Sequence, residues 1–137
     1  MAKDLIHDAV KKALINDGWT ITDDQFTIEY EDAKAFVDLA AERPIAAERG
    51  AEKIAVEIKS FLGPSPLHEL ENALGQYRFY MRLLEMVEPD RKLYLAISDI
   101  IEMRFFNRPS FRLIVQTEQI SLIVVNIQRE EIVKWIS

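Results

Sequence analysis

The pattern of apolar and polar residues predicts two helices of different length. Across Lys3–Asn16 apolar residues recur at helical spacing, and Asp17-Gly18 follows as a stop signal. A longer helix is expected to begin at Ser65-Pro66, because serine is a good N-cap and proline suits the first helical position. Its apolar positions continue along the chain until just before Pro89.

Strands are predicted between and after these helices. The segments with strand-like apolar patterns are Trp19–Thr22, Phe26–Tyr30, Ala35–Glu42, Glu52–Phe61, Lys92–Ser98, Ser121–Ile127 and Ile132–Ile136. Two short helices are expected before the last two strands, one capped by Ser98-Asp99 and ending at Phe106, the other covering Asn107–Thr117. This order predicts an α/β fold in which helices flank a mixed β-sheet, as one domain over residues 1–137.

Composition narrows the class of protein. The 137 residues include no cysteine, which excludes disulfides and thiolate metal sites. The first ten residues lack the apolar core of a signal peptide, and no apolar run approaches the length of a membrane span. We therefore expect a soluble, cytoplasmic protein without a membrane partner.

The net charge of −6 bears on nucleic-acid binding. An acidic chain has no general attraction to phosphates, so a protein that simply coats DNA is disfavoured. A nucleic-acid enzyme stays possible, because carboxylates that hold a divalent cation themselves add negative charge.

Three charged residues on two neighbouring predicted strands are the main candidates for chemistry. Glu57 and Lys59 alternate onto one face of their strand, where they could form a solvated ion pair worth about 0–1 kcal/mol. Asp38 lies between apolar neighbours in the preceding strand, and a buried carboxylate needs a partner. If Asp38 and Glu57 face one cleft, they would repel each other unless a cation lies between them. Mg²⁺ suits such an arrangement, and Lys59 would orient a water or stabilise a developing charge.

These residues resemble a known nuclease motif. Asp38, followed nineteen residues later by Glu57-x-Lys59, is similar to the D…(D/E)xK motif of the PD-(D/E)xK superfamily, which implies a restriction-endonuclease-like fold. Gln76 and Tyr80, one helical turn apart, are similar to the QxxxY element of its RecB-like branch, although packing would also explain them.

The same resemblance implies roles for individual residues. Asp38, Glu57 and the Ile58 carbonyl would hold Mg²⁺ or Mn²⁺, Lys59 would assist the attacking water, and Gln76 would contact the metal-site water or a phosphate. Val37 replaces the nominal proline of the motif. His7 lies where many relatives have a first-helix glutamate, so it is either a further metal ligand that favours Mn²⁺ or a half-exposed surface residue.

A closer resemblance extends over nearly the whole chain. The segments "DLIHDAVKKALINDGWTIT", "VDLAAER", "EKIAVEIKSF", "ALGQYRFY" and "IVKWIS" look like the XisH family of fdxN-element excision controlling factors, found mainly in cyanobacteria. The resemblance implies a role in developmentally controlled DNA rearrangement, alongside a site-specific recombinase and a partner called XisI. Two functions remain open: a metal-dependent DNA endonuclease, and a non-catalytic regulator that binds a partner protein. A homo-oligomer is possible in either case.

Overall fold

The computed structural model describes residues 2–45 and 50–137, which form helices and strands in the predicted order. The strands are β1 (Thr20–Asp23), β2 (Phe26–Tyr30), β3 (Ala33–Val37), β4 (Leu39–Pro44), β5 (Ala51–Ile58), β6 (Arg91–Ser98), β7 (Leu122–Asn126) and β8 (Glu131–Ile136). The helices are α1 (Ala2–Asn16), α2 (Pro66–Val87), α3 (Asp99–Ile101) and α4 (Pro109–Thr117), with a π-helical segment (Glu102–Phe106) between α3 and α4.

The main sheet has six strands in the order β1-β4-β5-β6-β7-β8, and β2 and β3 form a separate hairpin. Strands β5, β6 and β7 run parallel to one another, while β4 and β8 pair with them antiparallel. The predicted α/β fold, a mixed sheet flanked by helices, is therefore confirmed. Parallel neighbours end at one edge of the sheet, and this carboxyl edge is where such folds commonly place ligands.

The two faces of β5 belong to two different apolar cores. Ile54 and Val56 pack in the core that contains α1, whereas Ala55 packs in the core that contains α2. Because side chains alternate along a strand, Glu57 continues the face of Ala55 and points toward the α2 side.

Helix α2 is fixed at its start by a side-chain cap and in its middle by a buried tyrosine. The Ser65 hydroxyl accepts a hydrogen bond from the His68 N–H at 3.2 Å, as the predicted N-cap should. Further along, the Tyr77 hydroxyl donates to the Leu93 carbonyl at 3.1 Å and accepts from the Ser121 N–H at 3.0 Å. This hydroxyl connects α2 to β6 and to the residue that precedes β7.

One strand prediction is wrong. The continuous strand predicted for Ala35–Glu42 is interrupted at Asp38, a bend between β3 and β4. The physical reason is a change of partner, because β3 pairs with β2 in the hairpin whereas β4 pairs with β1 and β5 in the main sheet. Strand β5 also ends at Ile58 and not at Phe61.

Among the described residues, no helix is long and apolar enough to cross a membrane.

The buried tyrosine gives a test of how α2 is held. Tyr77→Phe removes the acceptor of the Ser121 N–H, which has no other in the described part of the chain, and Ser121 is buried. We expect the free energy of unfolding in urea to fall by about 1–3 kcal/mol, the cost of an unsatisfied buried donor. Tyr30→Phe is the control, since the half-buried Tyr30 has no side-chain hydrogen bond in the described structure. Equal stability of the Tyr77→Phe variant and the wild type would contradict this account.

Candidate functional site

A cavity of about 410 Å³ opens at the carboxyl edge of the sheet, where β5 ends. Its walls come from α1, the bend between β3 and β4, the end of β5, the following loop and the first turn of α2. The lining residues are Ile6, His7, Asp38, Glu57, Ile58, Lys59, Ser60, Phe61 and Glu69. The two carboxylates and the lysine singled out from the sequence therefore meet in one place.

Strand register brings the two carboxylates together. Leu39 of β4 pairs with Val56 of β5, so Asp38 and Glu57 occupy the next opposing positions. The Ile58 N–H donates to Oδ2 of Asp38 at 2.8 Å, which holds this carboxylate against the end of β5. Asp38 is half-buried and Glu57 is buried.

The Glu57 carboxylate lies in an unfavourable electrostatic environment. Burial raises its pKa, the neighbouring Asp38 charge raises it further, and Lys59 only partly opposes them, so that the pKa reaches about 7. Oε2 of Glu57 lies 3.5 Å from the Lys59 ammonium. Oε1 is buried and has no hydrogen-bond partner among the described residues. A proton or a cation would satisfy this acceptor.

The backbone of Lys59 is held by a hydrogen bond to β6, the neighbour of β5 on the side away from β4. Its N–H donates to the Ala96 carbonyl of β6 at 3.0 Å, although β5 has already ended. The side chain is 26% exposed, so the ammonium is neither buried nor freely solvated. The position of Lys59 is therefore set by the sheet, while its charge remains available to the cavity.

Gln76 does not line this cavity. It lines a second cavity of about 600 Å³, together with Phe36, Phe79, Tyr80 and three further residues. Its Oε1 is a second buried acceptor without a partner in the described part of the chain. Burial raises the pKa of Tyr80, and the charges of Glu57 and Asp38 raise it further. The roles expected for Gln76 and Tyr80 stay predictions.

His7 lines the cavity but is engaged elsewhere. Its Nε2 lies 2.9 Å from Oδ1 of Asp24, and the Lys11 ammonium lies 2.9 Å from Oδ2 of the same carboxylate. Burial opposes ionisation of Asp24, but the hydrogen bond from Lys11 and the charge of His7 outweigh it and lower its pKa. No group of three His, Asp or Glu side chains able to hold a metal exists within residues 2–45 and 50–137. A ligand role for His7 stays a prediction, and the contact with Asp24 argues against it.

Sequence reasoning missed two acids near the site. Asp24 contacts His7 only through the tertiary fold, and nothing in the sequence connects two residues so far apart. Glu69 had a recognisable signal, because it lies in the first turn of a helix that follows a tight loop. Its Oε1 accepts from the Gly63 N–H at 2.8 Å and shapes the loop at the cavity.

The oxygen atoms of this site are of the chemical type that binds a hard divalent cation. Asp38 and Glu57 offer carboxylate oxygens, and the unpartnered Oε1 of Glu57 is an acceptor that a cation would satisfy. Oxygen donors of this kind suit Mg²⁺ or Mn²⁺ more than Zn²⁺.

The raised pKa of Glu57 predicts a pH-dependent stability in the absence of metal. A pKa that rises from 4.5 to about 7 on folding stabilises the fold below pH 4.5, and this contribution disappears as the pH rises through 7. Glu57→Gln imitates the protonated form, so its stability advantage over the wild type should grow from pH 5 to pH 8 by about 2.5 kcal/mol. Urea unfolding in EDTA at both pH values measures the difference. Glu71→Gln, on an exposed position, is the matched control, and a constant difference for Glu57→Gln would contradict the prediction.

Comparison with known proteins gives consistent results. The sequence model of the XisH family, described as XisH protein, matches residues 1–133. A crystal structure of an XisH family protein from Nostoc punctiforme PCC 73102 is similar with a TM-score of 0.89 and 37% identity, covering 98% of this chain and 100% of that one. A crystal structure of an fdxN element excision controlling factor protein from Anabaena variabilis is similar with a TM-score of 0.87 and 40% identity, covering 98% and 99%. No curated protein sequence matches the chain. The chain belongs to the XisH family.

Proposed function

We propose that this chain is a controlling factor for excision of a DNA element and has a divalent-cation site of the PD-(D/E)xK nuclease type. The family and the similar Anabaena variabilis protein, described as an fdxN element excision controlling factor, support the first part. One observation supports the second: Asp38, Glu57 and Lys59 line a single cavity in which a buried oxygen of Glu57 has no partner among the described residues.

The proposed fold class is restriction-endonuclease-like. In favour are a mixed sheet in which the bend before β4 and the end of β5 supply the two acids, a preceding helix α1 and a following helix α2. In the proposed function, an XisI-like protein and a site-specific recombinase would be the partners, and DNA would be the substrate.

Each residue of the site would have its own role. Asp38, Glu57 and the Ile58 carbonyl would hold Mg²⁺ or Mn²⁺, which supplies charge neutralisation at a phosphate and activation of water when bound. The Lys59 ammonium, 3.5 Å from Glu57, would stabilise negative charge that develops on the phosphoryl oxygens. Binding of the cation would displace the proton that Glu57 retains near neutral pH.

A non-catalytic regulator is the second candidate function. Two carboxylates make a sparse metal site, because in the described part of the chain no third acid or histidine joins them in a group that could hold a metal. The net charge of −6 also disfavours a protein that holds DNA by its overall field. In this alternative the cavity would be the remnant of a nuclease site, and the chain would act by binding a partner protein or the recombinase.

Metal-linked stability tests the site without a substrate. A cation that relieves the repulsion between Asp38 and Glu57 binds the folded chain alone, so it should stabilise the fold by about 2.7 kcal/mol at a free concentration 100 times its dissociation constant. With an unfolding entropy of about 2 cal/mol/K per residue, the melting temperature should rise by about 9 °C. Thermal melts against Mg²⁺, Mn²⁺ and Ca²⁺ at constant ionic strength measure this rise.

Two variants make this experiment specific. Asp38→Asn and Glu57→Gln should melt higher than the wild type without metal and should respond little to it. Glu29→Gln, which changes an exposed carboxylate paired with Lys34 in the β2–β3 hairpin, should respond like the wild type. Equal shifts in all four proteins, or none in any, would refute the metal site.

Catalysis is tested at Lys59. Lys59→Met should abolish Mn²⁺-dependent nicking of supercoiled plasmid and leave the metal-induced melting shift intact or larger, because it removes a cation beside the cation site. Lys53→Met is the matched control, since Lys53 lies on the same strand and pairs with Asp90 away from the cavity. A wild type that shows the melting shift but no nicking would instead favour the regulator.

A further inference from the structure

The basic side chains of this acidic protein are mostly neutralised by neighbouring acids. Within the described residues, the lysines and arginines without a carboxylate inside 4.0 Å are Lys92, Arg104, Arg108, Arg112 and Arg129. Three of them recur at intervals of four residues, from the π-helical segment into α4. We call Arg104, Arg108 and Arg112 the arginine surface, and all three are exposed.

The acids nearest to the arginine surface in sequence do not neutralise it. Asp99 has no lysine or arginine of the described residues within 4.0 Å, and its Oδ1 accepts from the Ile100 N–H at 2.9 Å. Glu102 lies 2.6 Å from the Lys134 ammonium, and Glu118 lies 3.0 Å from the Arg78 guanidinium. A local excess of positive charge therefore remains on this part of an otherwise acidic chain.

An aromatic cluster joins this surface to the carboxylate cavity. Phe61 lines the cavity and packs edge-on against Phe106 with ring centroids 5.2 Å apart, and against Phe111 at 6.4 Å. Phe105 stacks on Phe111 at 6.2 Å. Arg104 directly precedes Phe105, and Arg112 directly follows Phe111. Packed rings therefore connect the cavity wall at Phe61 to the elements that carry the arginines.

The guanidinium of Arg108 is also pre-positioned. Its Cζ lies 4.8 Å from the centre of the Phe105 ring, a cation–π contact that restricts the side chain while leaving it exposed. Arg108 precedes α4, and its carbonyl accepts from the Arg112 N–H at 3.0 Å, so Arg112 lies one turn further along the same side. Guanidinium groups bind phosphate oxygens in a bidentate manner, which a solvated lysine does not reproduce.

We infer that the arginine surface binds the phosphate backbone of nucleic acid and guides the strand across the carboxylate cavity. The choice of nucleic acid rests on the proposed function, because a phosphodiester must reach Asp38 and Glu57 for that function to operate. Positive charge confined to the arginine surface would also let a chain of net charge −6 bind DNA locally. Contacts of this type carry no sequence preference, so sequence choice would come from another surface or a partner.

The test is DNA binding in EDTA, measured by fluorescence anisotropy of a labelled 20-base-pair duplex at several salt concentrations. Each phosphate contact contributes about 0.9 to the slope of log affinity against log salt. Arg108→Gln/Arg112→Gln should weaken binding of unrelated duplexes alike and reduce that slope by about 1.8. Arg104→Gln should reduce it by about 0.9.

Lys53→Gln/Lys92→Gln is the matched control. It makes the same change in net charge at the opposite ends of β5 and β6, where Lys53 and Lys92 are near the starts of their strands. The control should keep the wild-type slope. Equal losses in both double variants, or a wild type that does not bind the duplex at low salt, would overturn the inference.

Labelled poly-glutamate in the same assay tests whether the arginine surface binds an acidic protein and not DNA. Binding of poly-glutamate without binding of DNA, lost in Arg108→Gln/Arg112→Gln, would assign the surface to an acidic protein and also overturn the inference. Because the assay contains no metal, its result does not depend on the cation site. An arginine-dependent slope together with an absent metal-induced melting shift would refute the metal site alone.

Discussion

The burial of one carboxylate is the constraint on which the site depends. Glu57 is only 7% exposed at the end of a central strand, beside the half-buried Asp38. Ionising the Glu57 carboxyl group at this position requires either a compensating cation or a further hydrogen-bond donor, because water reaches the group poorly. Lys59 supplies part of the compensation at 3.5 Å, and Oε1 of Glu57 receives none from the described residues. Neighbouring elements hold the two acids close despite their repulsion.

The bend at Asp38 shows how the backbone accommodates that pair. Pairing between β4 and β5 ends at Leu39 and Val56, so the Ile58 N–H has no strand partner on the β4 side. The Asp38 carboxylate accepts that N–H at 2.8 Å and takes the place of a backbone carbonyl. One side chain thus satisfies the end of β5, fixes the direction of its own second oxygen, and marks the point where the chain passes from the hairpin to the main sheet.

Much of this arrangement could be predicted from the sequence, because it depends on local patterns. The α2 start followed from Ser65-Pro66, and alternation along the predicted strand put Glu57 and Lys59 on one face, where both line the cavity. The break at Asp38 could not be predicted, since a single apolar run gives no sign that its halves join different sheets. The contact of His7 with Asp24 had no local signal either. Whether Gln76 acts at the site depends on small rotations of α2, which periodicity does not resolve.

The acidity of the chain and a nucleic-acid role are compatible once charge is considered by location. Most basic side chains of the described structure are paired with acids, so they contribute little to the field at a distance. The unpaired positive charge is confined to a few positions. Among them are Arg104, Arg108 and Arg112, on elements whose rings pack with Phe61 at the cavity wall. At the cavity itself, Glu57 with a pKa of about 7 is partly protonated near neutral pH, which reduces the negative charge that an approaching phosphate would meet. A divalent cation that replaced this proton would reverse the sign of the local charge. The burial that makes Glu57 difficult to ionise would therefore make the site attractive to a phosphodiester only when metal is bound.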